Sequence, residues 1–218
     1  MTLTIRRSLI CFLCSLLLGC SAAAQEPTPI PGARTVLPIF QPIVEQLQHQ
    51  TPIPVVLPTN IPTEALMPNS TGKPQAYIKV PITPEGKFQQ VFAHIIEAQQ
   101  NRYEISLDAT STCRGQDSCS FGLLSGQLLH QGDPSIQAEY AFEQSPDFRP
   151  TERSPEAMRT VALARGITGY FVPFICGANC DTSKVIWEQN GYRYKVGIRY
   201  ASKKTVVGVA NSAIQNEP

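Results

Sequence analysis

The chain is poor in charge, in histidine and in tryptophan, and it has no long apolar run. Charged residues make up 16% of its 218 positions, with 18 Lys+Arg against 17 Asp+Glu and a formal net charge of +1, whereas soluble domains usually carry roughly 25%. That balance gives no bulk attraction for nucleic acid, and none is expected as a partner. Only His49, His94 and His130 offer an imidazole, and each reads as surface or strand filler. No G-x-S-x-G elbow frames a serine. The stretch from Gly166 to Gly169 is too short for a phosphate loop and lacks its lysine. Glu104 and Asp108 share a strand's polar face but stand roughly 13 Å apart, beyond the roughly 5 to 9.5 Å of glycosidase carboxylate pairs. No catalytic residue, metal site or cofactor is therefore assigned.

What is there begins with an export signal. Residues 1–8 carry Arg6 and Arg7 without an acid and run into the apolar residues 9–18, the charged-then-apolar order of a secretory leader. The run falls well short of the about 20 residues that span a bilayer, so it is a leader to be removed. Two cleavage sites compete. Leu17-Leu18-Gly19-Cys20 resembles a bacterial lipobox, which makes residues 1–19 the signal peptide and Cys20 a lipidated N-terminus; Ala22-Ala23-Ala24 before Gln25 resembles an ordinary small-residue cut after Ala24. Palmitate-type acyl chains on Cys20, at about 0.8 kcal/mol per buried CH₂, would anchor the chain firmly. Ser21 after the cysteine points to the outer membrane; the second cut leaves a periplasmic or secreted protein.

Residues 20–37 are expected to form a Pro-rich tether, since Pro27, Pro29 and Pro31 favour an extended polyproline chain. Residues 38–72 hold a short helix, with Ile43, Val44 and Leu47 at helical spacing and Pro42 in the first turn, then Ile53-Pro54-Val55-Val56-Leu57-Pro58. That second segment, framed by prolines, suits an edge strand or a covering segment. From Lys73 the period changes to two, and residues 73–214 are read as one disulfide-braced α+β domain with a tail at 215–218.

Tyr103, Ile105, Leu107 and Ala109 alternate with Glu104, Ser106 and Asp108, the pattern of a half-buried strand, and pair with the apolar residues 88–98 across a turn at 99–102. Asn190-Gly191 signals a type I′ turn. A two-residue turn there sets Gln189 against Tyr192, Glu188 against Arg193, Trp187 against Tyr194 and Val185 against Val196, with opposite charges meeting on one face and apolar side chains on the other. Ser202 is a candidate N-cap for a helix carrying Val206, Val209, Ala210 and Ala213 on one stripe, weakened by Gly208 by about 1 kcal/mol. Residues 132–156 read as a loop around one short strand at 136–142. The expected architecture is α+β: a curved, mainly antiparallel sheet of six to eight strands with a short N-terminal and a C-terminal helix packed on it.

Seven cysteines become four once the leader and Cys20 are set aside: Cys113, Cys119, Cys176 and Cys180. An even set in an oxidising compartment implies two disulfides. Extended chain would separate Cys176 from Cys180 by roughly 13 Å, so local bridges require tight turns, which Gly115, Asp117, Gly177 and Asn179 can supply. Two local clips are favoured over crossed pairing; zinc fits the spacings poorly, and no C-x-x-C redox motif occurs. Arg193, Lys195 and Arg199 alternate on one face of the last strand and form a candidate anionic-ligand stripe, beside the plainer reading of a solvated face.

Cys113-Arg114-Gly115 with Cys119 and Gly122, Gly166-Ile167-Thr168-Gly169-Tyr170-Phe171, Cys176-Gly177-Ala178-Asn179-Cys180, and Trp187 with Asn190-Gly191-Tyr192-Arg193-Tyr194 recur in this order in a group of uncharacterised exported proteins of cyanobacterial type, which the chain resembles over roughly residues 53–214. The segment from Trp187 to Ile214 is also similar to a domain of unknown function in bacterial anti-sigma-type ectodomains. The resemblance implies an extracytoplasmic address and an architecture, and carries no reaction. The expectation is a non-catalytic envelope lipoprotein, held to the membrane by its lipid and binding or scaffolding an envelope ligand or protein. The alternative is a hydrolase acting on envelope polymer or lipid.

Overall fold

The computed structural model describes residues 35–62, 90–145, 147–177 and 180–217. The leader, Cys20, tether residues 20–34 and residues 63–89 lie outside the described residues. Helix α1 (Gln41–Gln50) accepts Pro42 in its first turn, where the missing N–H costs nothing, and buries Ile43 and Leu47. The proline-framed segment that follows makes no strand. It lies as a strap, with Ile53, Val55, Val56 and Leu57 all buried, and the Val56 N–H donates to the Tyr103 hydroxyl at 3.1 Å. Prolines at 52, 54 and 58 remove donors that a ladder would need, so a covering segment is the conformation left to it.

The strands are β1 (Phe92–Ala98), β2 (Arg102–Asp108), β3 (Ser120–Leu128), β4 (Glu152–Arg153), β5 (Arg159–Ala162), β6 (Thr168–Val172), β7 (Ile175–Cys176), β8 (Thr182–Gln189) and β9 (Tyr192–Arg199). Seven of them form one open antiparallel sheet in the order β1-β2-β3-β9-β8-β6-β5, and β4 pairs with β7 apart from it. Asn190 (φ 53°) and Gly191 (φ 82°) take the positive φ values of a type I′ turn. The resulting register sets Trp187 opposite Tyr194, Glu188 opposite Arg193 and Val185 opposite Val196, and the Trp187 and Tyr194 rings stack with centroids 5.5 Å apart.

One face of the sheet carries the core. Tyr103, Ile105, Leu107, Leu124, Phe171, Val185, Trp187, Tyr194, Val196 and Ile198 meet α1, the strap and helix α3 (Lys203–Gln215) in a single apolar cluster. Each large aliphatic buried there contributes about 1.5 to 3 kcal/mol. Helix α3 starts where Ser202 Oγ accepts the Thr205 N–H at 3.2 Å and buries Val206, Val209, Ala210, Ala213 and Ile214; Gly208 sits on its exposed side.

The strand expected at 136–142 is instead helix α2 (Ile136–Glu139) followed by a 3-10 turn over Ala141–Gln144. Ser135 caps it, accepting the Ala138 N–H at 3.2 Å, and Ile136 and Tyr140, four apart, turn together onto Ile186 and Val172 on the far side of the sheet. This segment begins a second, thinner layer there.

Candidate functional site

The far face of the sheet is polar, because Glu104, Ser106 and Asp108 take the alternate positions of β2. Two bulges reshape its edge, one in β1 between Ile95 and Glu97 and one where Asp108 pairs with Ser120. A bulge adds a residue to one strand and turns it locally. Asp108 is fully buried, and its Oδ2 meets His94 Nδ1 at 2.6 Å, accepts from Ser106 Oγ at 2.8 Å and accepts from the Gly115 N–H at 3.2 Å. His94 Nε2 lies 3.0 Å from the Ser111 carbonyl oxygen. His94, far from being filler, joins Asp108 in holding the loop between β2 and β3 down on the sheet.

That loop is closed by the Cys113–Cys119 disulfide, with Cα atoms 5.7 Å apart. Its tight turn places Gly115 at φ 76°, a left-handed conformation that favours glycine, with Ile96 packed beside it. The second disulfide, Cys176–Cys180, closes the loop before β8. Both pairs are local, as the spacing favoured, and all four sulfurs are committed to them. Among the described residues no group of three or more His, Cys, Asp or Glu could hold a metal ion.

The two clipped loops face each other across a cleft of about 390 Å³. Gly115 and Asp117 come from one loop and Cys180 and Asp181 from the other, while Glu104, Ser106, Thr182 and Arg199 come from the sheet between them. The arginine that lines it is buried and its carboxylates reach solvent. Arg199 donates to the Asp117 carbonyl oxygen through Nη1 and to Asp117 Oδ1 through Nη2 at 3.3 Å, and its buried Nε has no hydrogen-bond partner among the described residues. Lys184, with 7% of its side chain exposed, pairs with Asp181, which is 45% exposed. Thr182 N–H donates to Asp181 Oδ1 at 2.6 Å.

Arg193, Lys195 and Arg199 do share one face of β9, but they do not form an open row. Arg193 is buried and donates to Glu188 at 2.6 Å, to Glu139 at 2.7 Å and to the Pro134 carbonyl at 2.6 Å. Arg199 lies in the cleft floor. Lys195 lies partly under the α2 layer, 5.8 Å from the Tyr140 ring centroid. Burial, then the Glu139 carboxylate, holds the Tyr140 phenol far above its ordinary range.

No family model matches the chain, and no curated protein and no solved structure matches it. The remaining histidines stay apart from the cleft: His49 is exposed in the last turn of α1, and His130 lies beyond the end of β3, its N–H donating to Asp133 Oδ2 at 2.8 Å. Sequence reasoning missed Asp117, Asp181 and Thr182 as cleft residues. The available signal was the enclosure of Asp117 by one cysteine pair and the adjacency of Asp181 to the other.

Proposed function

We propose that the chain is an exported, lipid-anchored envelope protein without catalytic activity, and that the cleft between its clipped loops binds a small polar ligand outside the cytoplasm. The observation that carries this reading is that both disulfides close loops on opposite walls of one polar cleft. Short local bridges stabilise a fold only modestly, about 2 kcal/mol each by loop-closure entropy; their placement serves to hold two recognition walls in one geometry, which lowers the ordering cost of binding. Two disulfides also accord with an oxidising compartment. The leader, the Leu17-Leu18-Gly19-Cys20 sequence and the motifs shared with exported proteins of cyanobacterial type support the address, with Cys20 as the anchor and the outer membrane as its place.

The hydrolase reading would draw on His94 and Asp108, the acid and imidazole that do converge. Both ring nitrogens are engaged, however. A carbonyl oxygen only accepts, so Nε2 carries its proton toward Ser111, and Nδ1 faces Asp108. Ser106 donates to Asp108 and not to the imidazole. Among the described residues neither ring nitrogen meets a serine or threonine hydroxyl, so the pair has no nucleophile to activate.

Two measurements test the proposal. The intact mass of protein extracted from membranes is expected to show a lipidated Cys20 and four thiols that alkylate only after reduction; a mature chain beginning at Gln25 would overturn the anchor. Titration with muropeptides and with lipooligosaccharide core, followed by amide NMR, is expected to move Ser106, Asp117, Asp181 and Thr182 with either probe. Shifts confined to other surfaces, or none with either probe, would overturn the cleft as the binding site.

A further inference from the structure

Outside the cleft, the polar face holds one amine in an uncommon setting. Lys184 and Lys195 both lie over the ring of Tyr140, their Nζ atoms 5.1 Å and 5.8 Å from its centroid. Lys184 is satisfied by Asp181. Among the described residues, no carboxylate comes within ion-pair distance of the Lys195 amine and no group accepts a hydrogen bond from it. Its ladder neighbours are Ser125 on β3 and Ile186 on β8, and it stays partly open to solvent.

We propose that Lys195 is a nucleophilic amine that condenses with small aldehydes, making it a covalent carbonyl-binding or modification site on this domain. All four described cysteines are oxidised and no described serine or threonine lies against a free base, so Lys195 is the side chain here best placed to attack a carbonyl carbon. Its ammonium first gives a proton to solvent. The nitrogen lone pair then forms a C–N bond while the C=O π pair moves to oxygen, which takes up a proton; loss of that hydroxyl with the remaining N–H proton releases water and leaves the imine. Amine and aldehyde balance against imine and water, and no oxidant or reductant is needed.

The surroundings favour the neutral amine. Burial, followed by the Lys184 ammonium, lowers the Lys195 pKa, against the weaker opposing pull of Glu139 on α2, Glu104 on β2 and Asp181 ahead of β8. Glu143 on the 3-10 turn faces the same pair of lysines. A desolvated lysine beside a second cation is the arrangement that activates amines toward carbonyls. The Tyr140 ring and Ile186 provide an apolar flank where loss of water from the carbinolamine is favoured.

The test uses the intact mature protein with glyceraldehyde and, in a parallel arm, hexanal, each trapped with cyanoborohydride and mapped by peptide mass from about pH 6 to about pH 9. Lys204, exposed at the start of α3, is the reference within each sample. Lys195 is expected to label several-fold faster than Lys204 near neutrality, with the ratio narrowing as pH rises, and preference between the arms separates polyol from apolar aldehydes. Lys184→Met, checked for native circular dichroism, is expected to slow Lys195 toward the Lys204 rate. Equal or slower labelling of Lys195 at every pH in both arms overturns the proposal, as does an unchanged rate in a folded Lys184→Met protein.

Discussion

Asn216, at the end of α3, grips the backbone of Thr35 from both sides: its Oδ1 accepts the Thr35 N–H at 2.9 Å and its Nδ2 donates to the Thr35 carbonyl at 2.8 Å. The same Nδ2 donates to Leu57 O at 2.9 Å. One amide thus ties the chain before α1 and the proline-framed strap to the last turn of the domain. Asn216→Ala removes all three bonds, and at about 0.5 to 1.5 kcal/mol per bond urea unfolding should show a loss of about 2 kcal/mol. Hydrogen exchange should quicken at Thr35 and along the strap more than in β8 and β9.

Gly126 lies against Tyr103, whose ring would meet an added Cβ at 2.5 Å. Gly126→Ala must displace a fully buried ring whose hydroxyl holds Val56. Overpacking of this kind costs about 1 to 3 kcal/mol. Thermal unfolding should register that loss, and the Val56 amide should lose protection first.

Trp187, the only tryptophan, is buried, and its Nε1 has no partner among the described residues. Trp187→Ala should cost about 3 to 5 kcal/mol through the cavity it leaves. Trp187→Phe keeps a stacking ring on Tyr194 and deletes the orphan donor, so its cost in urea should fall well below that of the alanine change. A phenylalanine variant as unstable as the alanine one would show that neither the retained ring nor removal of the orphan donor offsets loss of the indole.

Burial raises the Glu143 pKa above its ordinary value, and one of its oxygens is buried without a partner among the described residues. The folded state then binds its proton more tightly than the unfolded chain. Its contribution is stabilising below the unfolded value and is lost as pH rises through the raised folded value. Glu143→Gln should therefore be more stable than the parent at about pH 7 and indistinguishable from it at about pH 4, by melting temperature at each pH. A parent that gains from Glu143 at neutral pH would contradict the sign.

The elements legible in the sequence are those whose information is local. Asn190-Gly191 sets a turn that allows one register, and the residues on either side agree with it; Ser202 with the stripe from Val206 to Ala213 does the same for α3. The segment 136–142 misled because Ile136, Ala138, Tyr140 and Phe142 alternate like a strand while Ile136 and Tyr140 are also one helical turn apart. The Ser135 cap decided between two periods that the same residues satisfy. The candidate site was less legible for a related reason. Asp108 acquires its partners from β1, from a bulge and from the loop beyond Cys113, and the fate of Arg193 depends on Glu139, 54 residues away. Such pairings follow from tertiary arrangement and leave no periodic trace.

The hold of Asn216 on Thr35 also sets the order of assembly. The two residues lie 181 positions apart, so a chain threaded N-terminus first through a narrow pore cannot close this tie until its final turn has emerged. Both disulfide loops, spanning six and four positions, can close while the rest is still in transit. The two loops can thus close early, and the tie between the two ends of the domain closes last.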